Sequence, residues 1–186
     1  EIAATARSEG ATAVIGEYGE FPTAIIVTER GSSPTFADQL LAPEGVVLAT
    51  AAGWDRIRIE HMLPSFGTDF GPDNYPQEAA LEGLAVSFNK GCYLGQEAVF
   101  MLQKRGHVSK RLVRLKFTSS VELSKDDEIH AEDGAPVGNI TSITHTDEGT
   151  LAMGFVRYKQ TPDGTKLRVG GHDATVSRLS GREVDG

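Results

Sequence analysis

The second half of this sequence consists of short runs that alternate apolar and polar residues and are separated by glycine turns, a pattern that few folds accommodate. In "RLVRLKF" the apolar residues Val113, Leu115 and Phe117 fall on one face and basic residues fall on the other. Four further runs follow, "APVGNITSITHT", "GTLAMGFVRY", "TKLRVGG" and "DATVSRL", with turn signals at Asp133-Gly134, Asp163-Gly164 and Gly170-Gly171. Short strands at this spacing predict a small β-barrel or sandwich.

Before residue 108 the sequence mixes helical and strand-like segments, which indicates a separate α+β region. "TAVIGEY" and "TAIIVTE" predict a β-hairpin, whereas "VVLAT" predicts a short buried strand. One helix is predicted over residues 2–9, and a second begins at Pro34, because proline favours the first helical position. "AAGWDRIRIEHMLP" predicts a third helix, with Trp54 and Ile57 on its apolar face. We therefore place a domain boundary near residue 108.

A long loop, "SFGTDFGPDNYPQEA", follows the third helix, and loops of this length are often functional. Glu60 lies just ahead of the loop. Its carboxylate can accept two hydrogen bonds from an amide-like edge, such as that of an amino-pteridine ring. The alternative is an ion pair with Arg56, one helical turn earlier, on a solvated face. From these residues alone the ion pair is the better supported interpretation.

Composition excludes several classes of function. The chain has 186 residues, a net charge of -8, five histidines and one cysteine. One cysteine permits neither an internal disulfide nor a cluster held by four thiolates, and it favours a reducing compartment. The negative charge argues against direct nucleic-acid binding, the histidines lack the spacing of metal ligands, and no apolar run is long enough to span a membrane. We therefore predict a cytoplasmic protein without a metal site.

A cluster of positive charge interrupts this acidic background. Six of the 18 basic residues lie within 13 positions, with no acidic residue among them: Lys104, Arg105, Lys110, Arg111, Arg114 and Lys116. The cluster is explained either by the end of a helix followed by the solvated face of a strand, or by a local anion-binding site. Both interpretations stay open.

The segment "NKGCYLGQE" contains the single cysteine, Cys92. Lys90 supplies a nearby positive charge, and Gly95 and Gln96 predict the start of a helix whose free N–H groups face back toward the thiol. Both settings favour the thiolate form, and hence a reactive cysteine. A free cysteine is also commonly a small buried apolar residue. Local chemistry therefore leaves two interpretations of Cys92.

This segment resembles the signature K-G-C-aromatic-x-G-Q-E of the YgfZ-type folate-binding proteins, which are related to the aminomethyltransferase (T-protein) of the glycine cleavage system. The signature is matched at Lys90, Gly91, Cys92, Tyr93, Gly95, Gln96 and Glu97. "DRIRIEHMLPSFGTDF" is similar to the family segment R-x-E-x-G-x-P-x-x-G-x-D, through Arg58, Glu60, Pro64, Gly67 and Asp69. "GAPVGNITSITHT" is similar to the family strand V-G-x-x-T-S, through Val137, Gly138, Thr141 and Ser142.

Two departures from the family pattern stand close to these motifs. His61-Met62 replaces the usual Ala-Gly after Glu60, and the larger side chains reshape the expected pterin pocket. The family signature is often followed by V-x-R, whereas this chain has Val99, Phe100 and Met101. Met101 therefore replaces the arginine, and one expected polar contact is missing.

The resemblance implies an α+β fold in which residues 1–107 form the later half of a folate-binding domain and residues 108–186 form a six-stranded Greek-key barrel. It also implies a further segment ahead of residue 1 that contributes to the folate cavity. The cofactor it implies is tetrahydrofolate or a one-carbon derivative. The partners it implies are iron–sulfur enzymes or their assembly factors.

Carried over residue by residue, the resemblance assigns Cys92 as the functional thiol. It implies folate contacts at Glu60, Arg58, Lys90, Tyr93 and Gln96. The first functional hypothesis is a folate-dependent accessory protein that supports iron–sulfur enzymes and so, indirectly, tRNA modification. The second is an aminomethyltransferase that moves a one-carbon unit to tetrahydrofolate; the K-G-C core, absent from such transferases, favours the first. The third is a protein-interaction module that has lost its ligand.

Overall fold

The structure, a computed structural model, describes residues 11–18, 21–29, 34–106 and 108–177. The helix predicted over residues 2–9 lies outside the described residues. Packing divides the chain into two compact units that meet between Ala51 and Ala52. The boundary predicted near residue 108, between a folate-binding region and a barrel domain, stays a prediction.

The first unit contains an antiparallel hairpin and one helix. Strand β1 (Thr12–Tyr18) pairs with β2 (Phe21–Val27), and helix α1 spans Pro34–Leu41. The predicted hairpin and helix are therefore confirmed. The strand predicted at "VVLAT" is wrong, because this run is irregular and its Val47 and Leu48 are 84% and 80% exposed. A strand needs a partner for its backbone N–H and C=O groups, and this run pairs with neither β1 nor β2.

The second unit begins with three helices and a long loop. Helix α2 spans Ala51–Glu60, the short α3 spans Glu82–Ala85, and α4 spans Gln96–Arg105. The strands that follow are β3 (Lys110–Lys116), β4 (Glu128–Ala131), β5 (Pro136–Thr146), β6 (Gly149–Arg157), β7 (Lys166–Val169) and β8 (His172–Ser177).

These six strands close into an antiparallel barrel in the order β3-β6-β5-β4-β7-β8. Strands β4, β5 and β6 are consecutive in sequence and adjacent in the barrel. Strand β3 pairs with β6, although β4 and β5 lie between them in sequence. This order is a Greek key. The structure thus confirms the predicted α+β fold with a six-stranded barrel.

The barrel core follows the predicted alternation. Val113, Leu115 and Phe117 are buried, and residues from the other strands complete the core. Strand β4, "EIHA", was not predicted, because four residues are too few to show a clear alternation of apolar and polar side chains. Its Ile129 is nevertheless fully buried. The predicted glycine turns are present, with positive φ at Gly134 and Gly164.

Helix α2 packs on the outside of the barrel through a face that the sequence did not indicate. Its buried residues are Arg58 and Ile59, and Ile59 forms a small cluster with Leu112 and Met153 of the barrel. Burial of each of these apolar side chains contributes about 1.5–3 kcal/mol to the stability of the folded state. The predicted apolar face is wrong, because Trp54 and Ile57 are 47% and 38% exposed. The buried face of α2 contains Arg58 instead of the predicted apolar residues. Arg58 can be buried because Asp69 and Ser142, which are distant in sequence, accept its hydrogen bonds.

Candidate functional site

Glu60 lies at the C-terminal end of α2, where its side chain lines a cleft. Its carboxylate oxygen Oε1 accepts a hydrogen bond of 2.8 Å from Nε of Arg56, so the predicted ion pair is present. This hydrogen bond raises the pKa of Arg56. A carboxylate offers about four lone-pair positions, so Glu60 keeps acceptor capacity for a ligand.

Arg114 on β3 ties Glu60 to the barrel. Its guanidinium donates to the backbone carbonyl oxygen of Glu60, and a second nitrogen donates to Oγ of Ser177 at 2.7 Å. Burial lowers the pKa of Arg114, while the charges of Glu60 and Asp163 act in the opposite direction. The barrel therefore fixes the backbone position of Glu60.

The cleft beside Glu60 has a volume of about 360 Å³, within the range of small-molecule sites. Its charged lining residues are three basic and three acidic side chains: Arg56, Glu60, Arg114, Lys116, Asp147 and Glu148. This balance suits a ligand that presents both hydrogen-bond donors and acceptors rather than a single strong charge.

Arg58, a predicted folate contact, is buried and fully engaged within the protein. Its three guanidinium nitrogens donate to Asp55 at 2.6 Å, to Asp69 at 2.6 Å and to Oγ of Ser142 at 2.8 Å. Its folate contact stays a prediction. What the structure shows is a cation that joins α2 to the following loop and to strand β5.

Asp69 is the centre of this arrangement, which we call the Arg58–Asp69 clamp. Besides Arg58, its carboxylate accepts hydrogen bonds from the backbone N–H of Ser65 at 2.9 Å, from Thr141 at 2.7 Å and from Ser142 at 2.6 Å. The clamp thus joins two motif segments that are separated by about seventy residues of sequence. The motif positions Arg58, Asp69, Thr141 and Ser142 are recognisable in the sequence, but no local pattern indicates that they contact one another.

Gly138 in the motif strand is required by close packing. A Cβ atom at this position would lie 1.7 Å from the carbonyl oxygen of Phe155 on β6. Strands β5 and β6 therefore approach too closely for any other residue, next to the bulge between Ile140 and Ser142. This packing explains the glycine of the V-G-x-x-T-S pattern without any role in ligand binding.

The signature loop leads into α4, and the predicted helix start at Gln96 is confirmed. Gly95 adopts a φ of 82°, a conformation that glycine reaches without strain. Cys92 is exposed, so it is not part of the buried core. Nζ of Lys90 lies 4.6 Å from the ring centroid of Tyr93, a cation–π contact. The structure therefore brings Lys90 and Tyr93 together beside an accessible thiol.

The structure does not bring all predicted site residues into one contact set. The side-chain hydrogen bonds of Glu60 go to Arg56, whereas the contact of Tyr93 is with Lys90. Gln96 is half-buried and its backbone N–H donates to the carbonyl oxygen of Tyr93 at 3.2 Å. The assignment of these residues to folate, and of Cys92 as the functional thiol, stays a prediction.

The basic cluster does not form a single anion site among its described side chains. Arg111 pairs with the buried carboxylate of Glu82 at 2.5 Å, and Lys116 pairs with Glu148 at 2.8 Å. Lys104 lies over the ring of Phe100. The cluster is thus divided between ion pairs, ring contacts and the support of Glu60.

The described ranges of the chain also bear on metal binding and on membrane insertion. They contain no group of three or more His, Cys, Asp or Glu side chains that is arranged to hold a metal ion. None of their helices is both long and apolar enough to cross a membrane.

Comparison with known proteins gives matches to both parts of the fold. Residues 110–180 match the family of CAF17 C-terminal β-barrel domains. The tRNA-modifying protein YgfZ of Colwellia psychrerythraea is 26% identical over 148 residues, which cover 77% of this chain and 44% of that protein. The aminomethyltransferase of Synechocystis is 29% identical over 133 residues, which cover 70% of this chain and 35% of that protein.

Among solved structures, the glycine cleavage system aminomethyltransferase T from Bartonella henselae matches with a TM-score of 0.75 and 26% identity, over 90% of this chain and 48% of that one. The chain spans less than half the length of each of these relatives. The fold of this chain, an α+β region followed by an antiparallel barrel, therefore matches about half of that aminomethyltransferase. The barrel match, the YgfZ relatives and this structural neighbour together support a YgfZ-type member of the glycine cleavage T-protein superfamily.

Proposed function

We propose that this chain is part of a tetrahydrofolate-binding accessory protein that supports the maturation or repair of iron–sulfur enzymes and, through them, tRNA modification. The observation that carries the proposal is the exposed Cys92 within a complete K-G-C-Y-x-G-Q-E signature. The similarity to a tRNA-modifying protein supports it. The protein acts in the cytoplasm in this proposal.

Cys92 is the functional thiol of the proposal. Its side chain is exposed in a loop that glycine residues allow to turn sharply before α4. An accessible thiol can meet a partner enzyme or an assembly factor, which a buried cysteine cannot. Lys90 and Tyr93, which flank Cys92 in the sequence, contact each other through a cation–π interaction.

Glu60 is the group that orients the pterin ring of tetrahydrofolate. It fits this role because its carboxylate lines a cleft of about 360 Å³ and keeps acceptor positions beyond its bond to Arg56. Arg58 supports Glu60 by fixing α2 through the clamp. In the proposal Tyr93 lines the folate cavity, while Lys90 and Gln96 contact the ligand. Tetrahydrofolate itself supplies one-carbon chemistry when it is bound.

An aminomethyltransferase is the second candidate. It is favoured by the match to the Bartonella henselae enzyme, which covers 90% of this chain. The K-G-C core argues for the accessory function instead. Methylene transfer from a lipoyl carrier protein to tetrahydrofolate, measured on the complete protein, would establish the enzyme. A ligand-free interaction module is the third candidate, supported by the bulky His61 and Met62 beside Glu60.

The first test is calorimetric titration of tetrahydrofolate into the complete protein. Glu60→Gln is expected to lower the affinity about tenfold, because a charge-assisted hydrogen bond contributes about 1.5–3 kcal/mol. Glu148→Gln is the matched control, because Glu148 lines the same cleft but pairs with Lys116. Equal affinities for wild type and Glu60→Gln would remove Glu60 from the proposal, and no binding to any variant would favour the interaction module.

The second test separates the thiol from the folate site. Cys92→Ser is expected to abolish support of iron–sulfur enzymes in cells while leaving tetrahydrofolate affinity and unfolding temperature unchanged, since Cys92 is exposed. Full activity of this variant would refute the role of Cys92.

A further inference from the structure

A second cleft, separate from the one at Glu60, lies against the outer face of the barrel. It has a volume of about 680 Å³, and its walls are the loop at residues 67–74 and the adjoining parts of β3, β4, β5 and β6. It shares no lining residue with the Glu60 cleft. Its size falls within the range of small-molecule sites.

Two like charges stand directly opposite each other at one end of this second cleft. Lys110 and Arg157 are partners in the register of β3 and β6, and both are exposed. Like charges in this position destabilise a strand pair. Nζ of Lys110 lies 4.9 Å from the ring centroid of Phe155, and within the described part of the chain no carboxylate pairs with either cation. An anion between them would relieve the repulsion.

The remaining charges give the cleft two unlike ends. Asp69 contributes no free charge because its carboxylate is bonded within the clamp, and Lys125 directly precedes Asp126, so this third cation lies beside the acidic residues. Glu128 begins β4 and Asp126 lies two residues before it, and β5 separates β4 from β6 in the barrel. The acidic end is therefore displaced from the Lys110–Arg157 pair by the width of a strand.

We propose that this cleft binds a small ligand through a phosphate or carboxylate group that lies between Lys110 and Arg157. The arginine fork can hold two oxygens of such a group, and the lysine adds a point charge. The rings of Phe70 and Phe155 line the same cleft and offer apolar surface to the rest of the ligand. The site is independent of the function proposed above, because it includes none of the residues assigned to folate or to the thiol.

The test is thermal unfolding of the full chain at low ionic strength in inorganic phosphate, in citrate, and in chloride of matched ionic strength. Wild type is expected to unfold at a higher temperature in phosphate or in citrate than in chloride, because a ligand that binds only the folded state stabilises it. Phosphate and citrate distinguish the two kinds of oxyanion. Arg157→Gln is expected to raise the unfolding temperature in chloride and to weaken anion binding about tenfold or more.

The control variant is Arg168→Gln, which removes an exposed arginine of β7 that already pairs with Asp173 at 3.0 Å. It is expected to keep the wild-type response to anions. Lys110→Gln is a second test variant, and it is also expected to unfold at a higher temperature in chloride and to bind anions more weakly. If one of the two variants fails to fold, the other still tests the proposal. Three results would overturn the proposal: no stabilisation of wild type beyond chloride, a full response in either test variant, or a lower unfolding temperature of both test variants in chloride.

Discussion

The barrel and the signature segment use the same residue types in opposite ways. In the barrel, apolar side chains such as Leu115 and Ile140 are fully buried, and its glycine at position 138 is held against a neighbouring strand. In the signature segment Leu94 is fully exposed, Cys92 is exposed, and a Cβ atom at Gly91 would meet nothing within 4 Å. The barrel motifs therefore serve the stability of the fold, whereas the signature is not explained by packing and remains available for recognition.

The largest effect that tests this comparison is expected at Gly138. Gly138→Ala places a methyl group in contact with backbone, which cannot move as a side chain can, and is expected to destabilise the protein by more than about 3 kcal/mol. Gly91→Ala is the matched substitution in the signature and is expected to change stability by less than about 0.5 kcal/mol. Denaturant unfolding of both variants measures the difference, and equal effects would break the comparison.

The next effect concerns the Arg58–Asp69 clamp. Asp69→Asn leaves the buried cation of Arg58 without its main partner and is expected to destabilise the protein by about 3–5 kcal/mol. Asp173→Asn is the control, because it breaks an exposed pair with Arg168 and is expected to cost about 0–1 kcal/mol. Denaturant unfolding of the two variants sharpens the comparison between buried and exposed charge, and a small loss for Asp69→Asn would show that the clamp is dispensable.

The smallest effect is a pH dependence at the Glu60 cleft. The hydrogen bond from Lys116 lowers the pKa of Glu148 from its usual value of 4.5. A lowered folded-state pKa contributes stability above pH 4.5 that is lost as the pH falls through the folded-state value. Glu148→Gln is expected to lose this part of the acid sensitivity. Unfolding curves between neutral and acidic pH measure it, and an unchanged pH profile would mean that the pair is absent in solution.

Local signals predicted much of the fold because they depend on neighbouring residues. The alternation in β3, the glycine turns at Gly134 and Gly164, and the start of α4 after Gly95 are set by short-range sterics and by side-chain periodicity. The two strand predictions that failed depend on pairing between segments or on a pattern too short to recognise. The "VVLAT" run has the composition of a strand but no pairing partner, and β4 has a partner but too short a pattern.

The candidate site divides in the same way. The Arg56–Glu60 pair follows from helical spacing, so the sequence predicts it. The burial of Arg58 does not follow from spacing, since it depends on acceptors from the next loop and from a strand of the barrel. The like-charge pair of Lys110 and Arg157 likewise exists only because the Greek key makes β3 and β6 neighbours.

The sequence by itself determined the family resemblance, the barrel and the signature with its cysteine, because motifs, periodicity and turn residues are local properties of the chain. The tertiary structure decided which motif residues support the fold and which stay accessible. Asp69, Ser142 and Gly138 became packing and clamp residues, while Cys92 and Glu60 kept an accessible side chain. The physical reason is that burial and hydrogen-bond partnership are relations between distant segments, which exist only after the barrel has closed.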